Sequence, residues 1–217
     1  MSGFTLNLAL LRYATLFWDF DGVIKESVNV KTQAFIELFM PFGAAVAARV
    51  RDHHEHNGGL SRFEKIPLYL EWAGRTATAE EVARYCDMFS AAVRQSVIES
   101  AWVPGAREYL QAHYARQRFV LITATPQAEI EDILQALEAA HWFREVHGAP
   151  TAKTDAIQSV LSRWGCARTG ALVIGDSHSD YKAAKAAGID FLLRRTALNH
   201  DLQRLHRGLQ CEDFLHG

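Results

Sequence analysis

Two carboxylates, Asp19 and Asp21, follow a short apolar run at residues 15–18, and Gly22 comes directly after them. Short apolar runs closed by glycine are typical of buried parallel strands. Residues two apart in an extended chain point to the same side, so both acids are expected to project from the carboxyl end of the strand. Carboxylates about 4 Å apart repel by ~4 kcal/mol at an effective dielectric of 20. The pair therefore predicts a compensating cation, and Mg²⁺ is favoured because it prefers oxygen ligands.

Two later apolar runs end in polar residues of a similar kind. Residues 119–122 lead into Thr123, and residues 171–174 lead towards Asp176. The carboxyl ends of parallel strands meet at one edge of a sheet, so these side chains are expected to gather with the two acids. Lys153, at the start of a predicted helix, is expected to bring a positive charge to the same edge.

The elements that position these residues follow from hydrophobic periodicity. Residues 28–102 show helical spacing and no strand pattern, which predicts a helical block inserted after the first strand. From residue 103 onward, strand and helix patterns alternate, which is typical of a parallel α/β sheet. We therefore predict a Rossmann-like α/β core, with a parallel sheet flanked by helices, from residues 1–27 and 103–217. Residues 28–102 are predicted to form an inserted α-helical cap domain.

The sequence also predicts several element boundaries. Further strands are predicted at residues 143–146 and 190–193, the second of them as the last strand of the sheet. Pro126 is predicted to be the first residue of a helix, with Thr125 as its N-cap. Free backbone N–H groups at such a helix end suit a phosphate group.

The composition narrows the class of protein. The chain has 217 residues, 49% hydrophobic and 22% charged, which suits one globular unit or a core with a modest insertion. A net charge of −2 indicates neither a nucleic-acid nor an anionic-membrane partner. No apolar run is long enough to span a bilayer, and residues 1–17 lack the basic region and cleavage site of a signal peptide. Three scattered cysteines are typical of reduced thiols, so we expect a cytoplasmic protein. We expect it to be a monomer or a homodimer.

A cluster of histidines at His53, His54 and His56 has a poor spacing for a zinc site. Adjacent histidines point apart on a helix, and no cysteine lies near them in the sequence to complete a tetrahedral set. We expect these residues to form an exposed helix end that can face the cleft.

The motifs together resemble the haloacid dehalogenase superfamily, in the phosphatase-like branch with a helical cap that includes phosphoglycolate phosphatases and β-phosphoglucomutases. The matching segments are Asp19-Phe20-Asp21-Gly22-Val23, Leu121-Ile122-Thr123, Lys153 and Gly175-Asp176-Ser177-His178-Ser179-Asp180. They occur in the family's order and span nearly the whole chain. One such motif alone is a weak signal, whereas four at the expected strand ends are a strong one.

The resemblance implies a catalytic role for each matching residue. Asp19 is the nucleophile that becomes an aspartyl-phosphate, and Asp21 protonates the leaving alcohol and then activates water. Thr123 and Ala124 hold the transferring phosphoryl oxygens, and Lys153 neutralises their charge. These roles suit phosphoryl transfer, which depends mostly on positioning and charge stabilisation.

The resemblance also implies a Mg²⁺ site. Its ligands are Asp19, the carbonyl of Asp21 and Asp176, with Asp180 supporting either the metal or Lys153. The implied activity is a Mg²⁺-dependent phosphatase that acts on a small phosphorylated metabolite. An acid at Asp21 favours phosphate esters, because dehalogenases of this superfamily lack it.

Two alternatives remain open from the sequence. The segment Gly59-Leu60-Ser61-Arg62 is similar to the substrate loop of β-phosphoglucomutase-like members, so Arg62 is predicted to bind substrate and a phosphosugar mutase is one alternative. Those mutases carry a cap histidine ten residues after the second aspartate, where this chain has Lys31, which disfavours a mutase. The other alternative is a phospho-accepting receiver module of a signalling system, which the inserted helical block disfavours.

Overall fold

A six-stranded parallel sheet forms the centre of the computed structural model, which describes residues 4–215. The strands in chain order are β1 Thr15–Trp18, β2 Arg118–Pro126, β3 Glu145–Ala149, β4 Ala171–Gly175, β5 Asp190–Arg194 and β6 Leu209–Cys211. Their order across the sheet is β3-β2-β1-β4-β5-β6, and every neighbouring pair is parallel. The predicted parallel α/β fold is confirmed, and β1 lies near the middle of the sheet.

Ten α-helices accompany the sheet within the described range. They are α1 Phe4–Leu10, α2 Val28–Phe39, α3 Ala44–His56, α4 Arg62–Trp72, α5 Ala79–Glu99, α6 Ala106–His113, α7 Gln127–Ala136, α8 Lys153–Arg163, α9 His178–Ala187 and α10 His200–Leu205. Helices α2–α5 occupy the segment between β1 and β2, where a helical insert is predicted. The assignment of that insert as a separate domain stays a prediction, and residues 1–3 and 216–217 of the predicted core lie outside the described range.

The core lies on both faces of the sheet because side chains alternate along each strand. Leu16 and Trp18 of β1 pack into one cluster of buried side chains, which extends through α6 and α7 to the helices of the insert. Phe17, between them, packs into a second cluster formed with α8 and α9. All four residues of β1 are buried, which explains why that strand has a continuous apolar sequence.

Two predicted boundaries are wrong. The strand β5 is not the last, because β6 pairs with it in parallel at the edge of the sheet. The helix α7 begins at Gln127 rather than Pro126, because β2 continues through Pro126, whose backbone is extended (φ −54°, ψ 144°). Thr125 therefore belongs to the strand, and its hydroxyl is free to bond within the site instead of capping the helix.

The structure also describes the lengths of the helices and the state of the cysteines. None of the helices in residues 4–215 is long and apolar enough to cross a bilayer. Within the same residues the cysteines form no disulfide; Cys86 and Cys211 are buried, and Cys166 is partly exposed.

Candidate active site

Asp19 lies immediately after β1, at the carboxyl edge of the sheet, and only 4% of its surface is exposed. Lys153, the first residue of α8, places its Nζ 2.8 Å from Asp19 Oδ2 and 2.7 Å from Asp180 Oδ1. The other oxygen of Asp19 accepts a hydrogen bond from the backbone N–H of Phe20 at 2.8 Å. These bonds fix the orientation of the Asp19 carboxylate at the wall of a cavity.

Asp21 is held by a different set of groups. The Ser27 hydroxyl donates to Asp21 Oδ1 at 2.6 Å, and the Lys31 ammonium donates to Oδ2. Thr125 Oγ1 accepts from Lys31 Nζ at 2.8 Å and donates to Asp21 at 3.2 Å. Burial by itself raises the pKa of Asp21, but the Lys31 charge and the two hydroxyls outweigh it and hold the pKa below the usual value. These contacts favour the carboxylate form of Asp21.

Asp176 is the first residue after β4 and faces the turn that follows Asp21. Gly22 has φ +74°, and a Cβ atom at this position would lie 2.2 Å from Asp176 Oδ2. Glycine is required at position 22 for both reasons, since other residues disfavour this backbone conformation and would displace the Asp176 carboxylate. The Asp19–Gly22 segment and the loop after β4 are thus built to approach each other closely.

The acidic cluster fits a divalent cation. Carboxylate oxygens of Asp19, Asp176 and Asp180 lie within 4.8 Å of one another. Burial, followed by the charge of Asp180, raises the pKa of Asp19 to about 7, and burial with the charge of Asp19 raises the pKa of Asp176 well above its usual value. Like charges at this separation favour protonation or a cation, and a set of oxygen donors suits Mg²⁺.

The predicted metal ligands occupy different positions in this arrangement. Asp180 has both oxygens engaged: Oδ1 by Lys153, and Oδ2 by the Ser177 hydroxyl at 2.6 Å and backbone N–H at 3.2 Å. This favours the predicted support of Lys153 over direct contact with a metal. The Asp21 carboxylate is bonded to Lys31. The predicted contact of Asp21 with Mg²⁺ is through its backbone carbonyl, and this contact stays a prediction.

The end of β2 forms another part of the cavity wall. Ala124 and Thr125 line the cavity, whereas Thr123 is 1% exposed and lies behind them. The Thr123 hydroxyl accepts a hydrogen bond from the Thr125 backbone N–H at 3.2 Å. Thr123 therefore braces the end of β2, and the predicted contacts of Thr123 and Ala124 with phosphoryl oxygens stay predictions.

The cavity has a volume of about 220 Å³ and lies between the sheet edge and the helices of the insert. Insert residues on its wall include Lys31, His54, Arg62 and Lys65. The loop before α4 also contacts the loop after β4, because a Cβ atom at Gly59 would lie 1.9 Å from Ser179 Oγ. The insert thus covers the acidic cluster in this structure.

Arg62 is engaged by the core. Its guanidinium forms two hydrogen bonds with the Glu129 carboxylate of α7, at 2.7 and 2.6 Å, and a third with the Ser90 hydroxyl. The predicted contact of Arg62 with substrate stays a prediction, and here the guanidinium has a carboxylate of the protein as its partner. The sequence does not indicate this pairing, because the two residues are 67 positions apart.

The histidine cluster differs from the predicted exposed helix end. His56 is exposed, but His54 is 4% exposed, with its ring 4.9 Å from that of Phe35. His54 Nδ1 lies 2.9 Å from Lys65 Nζ, and His53 Nδ1 lies 3.0 Å from the Tyr69 hydroxyl. The prediction is wrong for His54 because α2 and α4 pack over that face of α3. No histidine of the described residues joins a potential metal-binding group.

The comparisons with known proteins agree on one family. A model of the haloacid dehalogenase-like hydrolase family matches residues 16–193. A phosphoglycolate phosphatase of Pseudomonas fluorescens (strain Pf0-1) is 31% identical over 206 residues, or 92% of this chain and 76% of that protein. Another, from Pseudomonas syringae pv. tomato, is 30% identical over 193 residues, or 85% of this chain and 70% of that protein.

Solved structures show the same fold. A β-phosphoglucomutase from Clostridium difficile has a TM-score of 0.75 at 17% identity, covering 94% of this chain and 92% of that one. CbbY from Rhodobacter sphaeroides, in complex with xylulose-1,5-bisphosphate, has a TM-score of 0.75 at 17% identity, covering 94% and 95%. At this level of identity the likeness concerns the fold alone.

The family match includes β1 and its acids, the end of β2, the start of α8 and the loop after β4. These are the segments that the fold brings to one cavity, and they carry the motifs on which the resemblance rests. The prediction of a hydrolytic enzyme with phosphatase relatives is confirmed. The chain belongs to the haloacid dehalogenase-like hydrolase family.

Proposed function

We propose that this protein is a Mg²⁺-dependent phosphatase that hydrolyses a small phosphomonoester through a phosphorylated Asp19. The observation that carries the proposal is the convergence of Asp19, Asp21 and Asp176 on one cavity, with Lys153 bonded to Asp19. The curated relatives named phosphoglycolate phosphatases support the reaction class. Free thiols at all three cysteines support a cytoplasmic location.

The chemistry divides into two displacements at phosphorus. In the first, a carboxylate oxygen of Asp19 forms a bond to phosphorus, the bond to the ester oxygen breaks, and Asp21 gives a proton to the leaving alcohol. For this step Asp21 must carry that proton in place of its ion pair with Lys31. In the second, Asp21 takes a proton from water as the water oxygen attacks phosphorus and the bond to Asp19 breaks. The proton gained in the second step is the one that Asp21 donates in the next turnover.

Charge stabilisation is divided among groups that surround the phosphoryl oxygens. Lys153 supplies one positive charge, and the backbone N–H groups around Thr123 and Ala124 supply hydrogen bonds. Bound Mg²⁺, held by Asp19, Asp176 and the carbonyl of Asp21, would supply further positive charge to the phosphoryl group. Asp180 and the Ser177 hydroxyl keep Lys153 in place.

The test is release of inorganic phosphate from a panel of phosphomonoesters that includes 2-phosphoglycolate. We expect turnover with Mg²⁺, none with excess chelator, and recovery when Mg²⁺ is added back. Asp19→Asn is expected to abolish turnover and Asp87→Asn, which changes an exposed acid on α5, to leave it unchanged. Acid quenching during turnover is expected to trap one phosphoryl group on the peptide that contains Asp19.

Three results would contradict the proposal: turnover by Asp19→Asn near the wild-type rate, turnover indifferent to chelator, or a phosphoryl group trapped on another residue. Isomerised sugar phosphate in place of inorganic phosphate would indicate the mutase alternative. A phosphoryl group that stays on Asp19 without release would indicate the receiver alternative.

A further inference from the structure

Lys65 differs from the other buried cations that line the cavity. The buried lysines and arginines on its wall, within residues 4–215, are Lys31, Arg62, Lys65 and Lys153. All but Lys65 have a carboxylate partner, namely Asp21 for Lys31, Glu129 for Arg62, and both Asp19 and Asp180 for Lys153. No carboxylate oxygen of the described residues lies within 4.0 Å of Lys65 Nζ. Because a buried charge is costly without an opposite charge, Lys65 is the position where the cavity lacks an anion.

The contacts that Lys65 makes are with neutral groups. Its Nζ lies 2.9 Å from His54 Nδ1 and 5.8 Å from the centre of the Phe35 ring. When Lys65 is charged its ammonium only donates, so His54 then accepts at Nδ1 and carries its own proton on Nε2. Burial, followed by the charges of Lys65 and Lys31, holds the pKa of His54 well below its usual value, so the imidazole is neutral. Burial, followed by Lys31, also lowers the pKa of Lys65 to about 7.

Lys65 and His54 together therefore offer hydrogen-bond donors and carry at most one positive charge. Two N–H bonds of Lys65 remain after its bond to His54. Both residues line the cavity in which a substrate would lie.

We propose that Lys65, positioned by His54, binds a carboxylate on the alcohol portion of the substrate and thereby determines specificity. This rests on the proposed phosphatase function, in which the phosphoryl group lies at the Asp19 end of the cavity. One positive charge matches one carboxylate, whereas a second phosphoryl group brings about −1.5 to −2 charges at neutral pH. Arg62 is already neutralised by Glu129, so it does not balance such a group.

Lys25 provides a matched control. It is 1% exposed, as Lys65 is, and its Nζ also contacts a neutral acceptor and an aromatic ring: the Ile98 carbonyl at 3.0 Å and the Trp102 ring at 4.8 Å. Lys25 does not line the cavity. A comparison of Lys65→Met with Lys25→Met therefore separates loss of a cavity charge from loss of a buried lysine.

The experiment measures kcat and KM for 2-phosphoglycolate, its uncharged amide and a sugar bisphosphate. We expect the wild type to prefer 2-phosphoglycolate to the amide. Lys65→Met is expected to lower kcat/KM for 2-phosphoglycolate by about 10- to 150-fold, mainly through KM, as for loss of a hydrogen bond to a charged group. The amide should change less than twofold, Lys65→Arg should restore part of the preference, and Lys25→Met should keep it. Thermal melting of each variant confirms folding.

Equal losses on 2-phosphoglycolate and its amide would overturn the proposal, as would a wild type without preference between them. A larger loss on the bisphosphate than on 2-phosphoglycolate would overturn the assignment of a carboxylate. Calorimetric binding of glycolate and glycolamide gives a second measurement that needs no turnover. If the wild type hydrolyses none of the esters, the phosphatase function fails, and weaker glycolate binding by Lys65→Met still decides the role of Lys65.

Discussion

The ion pair between Arg62 and Glu129 joins the helical insert to the core and allows a quantitative prediction. Arg62 lies on α4 and Glu129 on α7, and their side chains are only 3% and 7% exposed. The guanidinium also lies over the Phe89 ring at 4.6 Å. Removing either charged group leaves the other buried without a counter-charge.

A broken buried ion pair costs ~3–5 kcal/mol, because the remaining charge keeps its desolvation penalty and loses its attraction. We therefore expect Arg62→Met and Glu129→Met each to lower the free energy of unfolding by about that amount. The double variant buries two apolar side chains of similar length, which is often neutral or stabilising. It should be more stable than either single variant, which corresponds to a coupling free energy of several kcal/mol.

Urea denaturation measures the free energy of unfolding of each variant. The denaturation midpoints are compared among variants whose unfolding free energy falls with urea concentration at the same slope. The control is the ion pair of Arg94 on α5 with Asp132 on α7, which also joins the insert to α7 at 2.9 Å but has side chains 56% and 58% exposed. Its removal should cost ~0–1 kcal/mol, as for exposed pairs in general. Single-variant losses below ~1 kcal/mol at Arg62 and Glu129, or strict additivity in the double variant, would refute the reasoning.

Three further predictions concern the cavity. Gly22→Ala should weaken Mg²⁺-dependent turnover and lower Tm, because the added Cβ displaces the Asp176 carboxylate; an unchanged Mg²⁺ titration would contradict this. Lys65→Met should raise Tm below pH about 7 and lose this advantage as pH rises towards 10.5. The reason is that the unfolded chain binds a proton at Lys65 which the folded chain releases in that interval, so wild-type stability rises with pH. Asn199→Ala should lower Tm and shift the Mg²⁺ titration to higher concentration, because Asn199 Nδ2 donates to the Asp176 carbonyl at 2.7 Å and the Arg194 carbonyl at 2.9 Å; a titration curve that does not move would exclude this role.

Local sequence patterns predict the parts of the fold whose signals are local. The β1 run at Thr15–Trp18 is buried on both faces, so it is apolar from Leu16 to Trp18 and easy to identify. The strand β6 escapes prediction because Leu209–Cys211 is short and partly exposed, so it shows neither a continuous apolar run nor a clear alternation. The start of α7 is displaced because β2 continues through Thr125, and that continuation depends on pairing with β3.

The convergence of the acids and Lys153 can be predicted from the sequence, because the carboxyl ends of parallel strands lie at one edge of the sheet. The groups that hold Asp21 are less accessible to prediction, because Lys31 reaches it from α2 and Thr125 from β2. The partners of Arg62 and Lys65 depend on how the insert packs against the core and on itself. The burial of His54 has the same origin, since its helical position alone gives no sign that Phe35 covers it.

The insertion of α2–α5 between β1 and β2 separates two kinds of residue along the chain. The groups that would make and break bonds to phosphorus lie on strand ends, and Lys65 and His54, which would select the metabolite, lie on the insert. An evolutionary lineage can therefore exchange one metabolite for another by altering the insert while it inherits the reaction chemistry intact. The conditions are that each new insert must supply a cation for Glu129, or replace that acid as well, and must supply a group that holds Asp21 as Lys31 does.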